Sequence, residues 1–118
     1  MSGPSKQTPP IAPAAPLAIQ DAVHTGRHTL ILSGELDIAS TPELEAAVSG
    51  LCAGDVEAIT LDLSNVSFMD ASGLQAILAT RWLCETNACD FALIQGPRQV
   101  QELFDFCGLL DVLPFRDA

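Results

Sequence analysis

Basic residues are scarce in this chain. Five lysines and arginines stand against fifteen acids, giving a formal net charge of -10 over 118 residues. A surface of that sign repels phosphate backbones and anionic bilayers, so neither nucleic acid nor a membrane is expected as a partner. A protein carrying a basic patch would instead be attracted. No apolar run approaches the roughly 18–20 residues that a membrane helix needs. The first residues do not read as a signal peptide, because Pro9, Pro10, Pro13 and Pro16 break their apolar part. A cytoplasmic location is expected.

Recognisable catalytic signatures are missing as well. There is no Gly-x-Gly-x-x-Gly, no Gly-x-x-x-x-Gly-Lys and no Gly-x-Ser-x-Gly. The four cysteines, Cys52, Cys84, Cys89 and Cys107, never show the two-residue spacing of a redox or zinc pair. In a reducing compartment they are expected to act as small buried hydrophobes. His24 and His28 have no third ligand beside them, so no metal site is expected. No catalytic residue, metal or cofactor is assigned, and the chain is read as a non-enzyme.

Apolar residues make up 48% of the chain, enough for one core in one domain. Residues 1–16 hold five of the eight prolines and read as a flexible tail; residues 17–118 form the domain. Leu17 to Val23 and His28 to Leu36 read as two strands joined by a turn at His24-Thr25-Gly26-Arg27, with Leu30, Leu32 and Gly34 on one face. Ser40 or Thr41 caps a helix with Pro42 in its first turn and Leu44, Ala47, Val48 and Leu51 at helical spacing, and Gly50 and Gly54 mark its exit. Ala58 to Leu63 is a short strand, followed by a turn over Ser64 to Ser67. A second helix opens at Asp70-Ala71-Ser72-Gly73, runs on an apolar stripe of Leu74, Ile77, Leu78 and Trp82, and ends at Asn87. Phe91 to Gln95 is apolar on both faces and reads as a buried central strand. Pro97 starts a third helix, whose buried side is Val100, Leu103, Phe104 and Cys107 and whose stop is Gly108. Val112 to Phe115 closes the chain as a last strand. The order β-β-α-β-α-β-α-β predicts an α/β fold with a mixed, mostly parallel sheet covered by helices.

One segment stands out as a site. Phe68-Met69-Asp70-Ala71-Ser72-Gly73-Leu74 lies where a strand hands over to a helix, and function gathers at that end of parallel strands. Asp70 caps the helix and leaves Ser72 in the first turn with an exposed hydroxyl. A phosphate there would suit the positive helix end, yet it would confront any protein packed over the helix with a bulky anion. Local physics alone is equally served by a serine that merely completes a helix start.

The run from Leu61 to Leu74, LDLSNVSFMDASGL, resembles the signature of the STAS domain family, most closely the bacterial anti-sigma-factor antagonists. Gly34-Glu35-Leu36-Asp37 followed by Ser40-Thr41 resembles the family's second strand and first helix entry. Val100 to Leu109 resembles its third helix. The resemblance implies a partner-switching protein with no activity of its own. In that scheme the unphosphorylated antagonist binds an anti-sigma factor that is also a serine kinase, which frees a sigma factor. Phosphorylation of the motif serine separates the pair, and a phosphatase resets it. Ser72 matches the phosphorylated serine, Asp70 the motif acid, Gly73 the motif glycine and Asp37 the acid after the second strand. Asp37, Ser40, Thr41, Asp70, Ala71, Ser72, Gly73 and Leu74 are the implied partner-binding residues. Many relatives have a second serine where Ala71 stands, so Ser72 is the one hydroxyl of this motif. The alternative within the family is a non-switching scaffold subunit of a stress-signalling or lipid-transport assembly. Whether the chain is a monomer or a dimer is left open by the sequence.

Overall fold

The computed structural model describes residues 16–116. The tail expected over residues 1–16 lies outside the described residues except for Pro16. Eight elements follow one another: β1 (Ala18–His24), β2 (Arg27–Leu36), α1 (Thr41–Cys52), β3 (Ala58–Met69), α2 (Ala71–Thr86), β4 (Asp90–Ile94), α3 (Arg98–Phe106) and β5 (Phe115–Arg116). They form the expected α/β fold, with a five-stranded mixed sheet and three helices.

The first two strands form an antiparallel hairpin because Thr25 and Gly26 both adopt positive φ, +45° and +79°. That pair of conformations matches the twist of the strands it joins. The remaining neighbours are parallel, and the strands lie across the sheet in the order in which the chain makes them. Parallel crossovers are right-handed. Three of them stepping in one direction therefore lay all three helices on the same face.

The pairing register identifies that face. Leu30 lies beside Leu61, Leu61 beside Leu93, and Leu93 beside Phe115. The three leucines are at most 1% exposed, and Leu44 and Val48 of α1, Ile77 of α2 and Phe104 of α3 complete the same core. Phe104 meets Phe115 edge to face, with ring centroids 4.9 Å apart. The alternate row, Thr29, Thr60 and Ala92, points to the other face and belongs to no part of that core. Among the described residues, helices thus cover one face only. The expectation that Phe91 to Gln95 is buried on both faces is corrected: β4 lies next to the edge, and only Leu93 in it is fully buried.

The expected turn over Ser64 to Ser67 is also corrected, since β3 runs unbroken to Met69. Ile31 pairs with Asp62 and Ser33 with Asn65; Gly34 pairs with Val66 and Glu35 with Phe68. Each step inserts one extra residue into β3, which is the signature of a β-bulge. Asp62 stabilises the first bulge by accepting from the Ser64 amide (2.9 Å) and hydroxyl (2.6 Å).

Smaller differences have local causes. Gly50 lies inside α1 rather than at its exit. Trp82 is 63% exposed; Gly73, Ala76, Thr80 and Cys84 join Leu74 and Ile77 on the buried side of α2. Gly108 stops α3 at φ +72°, as its sequence position predicts, but Cys107 is exposed rather than buried. Cys84 and Cys89 are buried and Cys52 is half-buried. Burial raises the Cys52 and Cys84 thiols above the ordinary thiol range, and neighbouring Cys89 adds to the effect on both. No group of His, Cys, Asp or Glu among the described residues is arranged to hold a metal ion. None of the described helices is long and apolar enough to cross a membrane.

Candidate functional site

The parallel strands β2 and β3 end side by side at the register pair Leu36 and Met69. Each is followed at once by an aspartate that organises a turn. Asp70 is the N-cap of α2: its Oδ1 accepts from the amides of Ser72 (2.9 Å) and Gly73 (3.2 Å). That satisfies two of the donors that a helix start leaves open. Asp37 does the same work in its own turn, accepting from the amides of Ala39 (3.0 Å) and Ser40 (3.1 Å).

Asp37 also corrects the expected cap of α1. Ser40 occupies the N-cap position but makes no capping bond to the helix. Its hydroxyl points backward instead, donating to the Glu35 carbonyl (2.8 Å) and accepting from the Asp37 amide (2.9 Å). Ser40 and Thr41 are 8% and 9% exposed, so their side chains shape the loop from inside.

The two turns are locked together at Gly73. A β-carbon built there would lie 2.4 Å from the Leu36 carbonyl oxygen and 2.7 Å from the Met69 Cγ. The first turn of α2 therefore rests directly on the end of β2, as only a residue without a side chain permits. The Asp70 amide adds a bond to the same Leu36 carbonyl at 3.4 Å.

The eight residues singled out by the sequence fall into two groups. Ala71 is exposed, and Asp37, Asp70 and Ser72 are half-buried at the surface. Ser40, Thr41, Gly73 and Leu74 are buried and hold the surface in shape. Ser72 is less open than the sequence implies, but its hydroxyl makes no hydrogen bond among the described residues. The patch also has apolar flanks: Ile38, 75% exposed in the Asp37 turn, which sequence reasoning missed, and Phe68, at the head of the site segment, which the structure leaves 47% exposed. Ile38 carries a readable signal, an aliphatic residue inside a polar turn. The direction of Phe68 depends on the second bulge, which the sequence does not display. Together these groups make a shallow surface with apolar edges, two acid-organised turns and one free hydroxyl. The arrangement suits contact with another protein.

Comparison with known proteins places the fold and the sequence among known relatives. An anti-sigma-B factor antagonist of Staphylococcus epidermidis is 28% identical over 97 residues, which cover 82% of this chain and 90% of that protein. The solved structure of the anti-sigma factor antagonist SpoIIAA in its unphosphorylated form superposes with a TM-score of 0.74 at 29% identity, covering 86% of this chain and 88% of that one. The Bacillus cell fate determinant SpoIIAA in its phosphorylated form superposes with a TM-score of 0.69 at 28% identity, covering 86% and 91%. The family profile described as the STAS domain matches residues 18–118. With that match spanning the whole described domain, the chain belongs to the STAS domain family.

Proposed function

We propose that this protein is an anti-sigma-factor antagonist whose binding is switched off by phosphorylation of Ser72. The observation that carries the reading is the first turn of α2. Asp70 has taken the amides of Ser72 and Gly73, and the Ser72 hydroxyl is left unbonded at the surface. In the unphosphorylated form, the Asp37 and Asp70 turns with Ala71, Ile38 and Phe68 dock on an anti-sigma factor that is also a serine kinase. Binding frees the sigma factor. The kinase then transfers the γ-phosphoryl group of ATP to Ser72 Oγ, releasing ADP and the hydroxyl proton, and a phosphatase later hydrolyses the ester. The antagonist is the kinase's substrate and has no catalytic role of its own.

Two opposing terms show why the switch would act on the partner and not on the fold. A phosphate at a helix start gains about 0.3–1 kcal/mol from the helix end. Repulsion between a phosphate of about -1.5 to -2 charges and a carboxylate in water is about 1.5–2 kcal/mol at contact range. On the free protein the helix end offsets part of the repulsion from Asp70, and the remainder, about 1 kcal/mol, is too small to unfold a domain of ordinary stability. Under a docked partner the dianion would be desolvated beside Asp70 with both nearby amides already committed, and contact is lost.

The test is capture of lysate kinase activity on immobilised wild type, Ser72→Ala and Ser72→Glu, followed by labelling with ATP. Ser72→Ala should retain the partner and take no label; Ser72→Glu should lose the partner while keeping its fold by circular dichroism. Full labelling of Ser72→Ala, or undiminished capture by Ser72→Glu, would refute the proposal.

A further inference from the structure

The uncovered sheet face carries a second feature, on the opposite side of the sheet from the helices and at the other end of the strands from Ser72. Two register rows make its floor. Ala22, Thr29, Thr60 and Ala92 form one; His24, Arg27, Ala58 and Asp90 form the other. Five of these eight side chains are alanine or threonine, which leaves a cleft of about 300 Å³ over Ala22, Thr29, Ala58 and Thr60. Arg27 stands on one side of it. Arg116, from the edge strand β5, folds back over Ala92 and donates from Nη2 to Thr60 Oγ1 at 3.3 Å, forming the other side. Ala58 and Thr60 are 5% and 6% exposed although no helix covers them. His24 adds a third nitrogen donor at the rim. An adjoining recess of about 220 Å³ reaches Asp90, the one carboxylate on this part of the floor.

The charge pattern gives the cleft a direction. Four arginines are described in a chain of net charge -10. Two of them are paired on their own helices, Arg81 with Glu85 at 3.4 Å and Arg98 with Glu102 at 3.2 Å. The other two, Arg27 and Arg116, have no carboxylate within 4 Å among the described residues, and both line this one cleft. Among the described residues these two guanidinium groups have no carboxylate partner, and over a floor rich in small side chains they are complementary to an oxyanion supplied from outside. The guanidinium fork matches carboxylate and phosphate oxygens, and the small-residue floor suits a flat body lying on the sheet.

We infer that this cleft is a binding site for a small organic anion, one carboxylate or phosphate group on a compact planar body. The anion is held between Arg27 and Arg116, and the body lies on Ala22, Thr29, Ala58 and Thr60. The site is independent of the Ser72 surface, so failure of either proposal leaves the other standing.

Amide chemical shifts of the full chain, titrated with benzoate and with phenyl phosphate, test it. Benzyl alcohol serves as the neutral control and Arg98→Gln as the control variant. Saturable shifts are expected at Ala22, Thr29, Thr60 and Ala92 with at least one of the two anions, and which one binds identifies the preferred oxyanion. Benzyl alcohol should leave those amides unmoved. Arg27→Gln and Arg116→Gln should each weaken binding at least tenfold, and Arg98→Gln should not change it. Both substitutions are at exposed positions, and an unchanged spectrum elsewhere establishes that the fold is intact. Absence of saturation with both anions, equal shifts with benzyl alcohol, or affinity untouched by the two cleft variants would overturn the inference.

Discussion

Replacing Gly73 with alanine tests whether the first turn of α2 is held by contact with β2. Two effects oppose each other. Alanine favours a helix interior over glycine by up to about 1 kcal/mol, so an unconstrained glycine at this place would be improved by the change. The new β-carbon, however, would start 2.4 Å from the Leu36 carbonyl oxygen and 3.0 Å from the Leu36 Cγ. Leu36 is fully buried and its carbonyl belongs to the backbone, so the oxygen cannot swing aside as a flexible side chain would. The helix start must move outward by more than half an ångström. Overpacking of this kind costs about 1–3 kcal/mol and outweighs the propensity gain. The expected net loss is about 1–2 kcal/mol, a fall in Tm of roughly 5–10 °C for a domain of this size. Gly50→Ala is the matched control: it is also helical, but a β-carbon there would meet nothing within 4 Å. It should gain up to about 1 kcal/mol. Urea denaturation followed by far-ultraviolet circular dichroism is the assay, because Trp82, the sole tryptophan, is already 63% exposed and its emission would change little on unfolding. A Gly73→Ala protein as stable as wild type, beside a stabilised Gly50→Ala, would refute the contact argument.

Two further predictions use other parts of the structure. Asp37→Ala removes the acceptor of the Ala39 and Ser40 amides and should lower stability by about 1 kcal/mol, whereas Asp37→Asn keeps an acceptor oxygen and should lose less than half of that; paired urea midpoints read the difference. Burial keeps the Cys84 thiol neutral in the folded state, so the unfolded chain ionises first, at roughly pH 8.5. Stability is therefore full below that pH and falls as pH rises above it; Tm measured from pH 7 to 10 should show the decline, with a shallower slope in Cys84→Ala.

Much of this molecule is readable in its residues because the decisive signals are local. Asp70, Ser72 and Gly73 declare a capped helix start within four positions, and Gly26 and Gly108 mark places where φ must be positive. The element order followed from alternating periodicities, and the order of elements then implied parallel pairing. What failed depended on partners distant in sequence. Ser64 and Asn65 look like turn residues, and only the pairing of Asn65 with Ser33 and of Val66 with Gly34 makes this stretch bulged strand. Trp82 looks like core until α2 is set on the sheet with Ala76 and Thr80 facing inward. At the site, the inward-facing roles of Ser40 and Thr41 depend on the Glu35 carbonyl and on how α1 leaves the sheet. The cleft between Arg27 and Arg116 draws on all five strands, and no window of sequence displays it.

The hairpin strand β1 has one more consequence. Among the described residues it is the long edge strand of the sheet, and a bare edge invites another chain to add a strand. Asp21 sits there opposite Leu30, on the face that elsewhere is core, and its carboxylate is held by His28 Nδ1 at 2.9 Å. A molecule zipping onto this edge would bring its own strand against that carboxylate and pull it out of water. The opposite edge, β5, offers two residues for pairing. Both margins, among the described residues, thus disfavour end-to-end strand addition between copies of this domain.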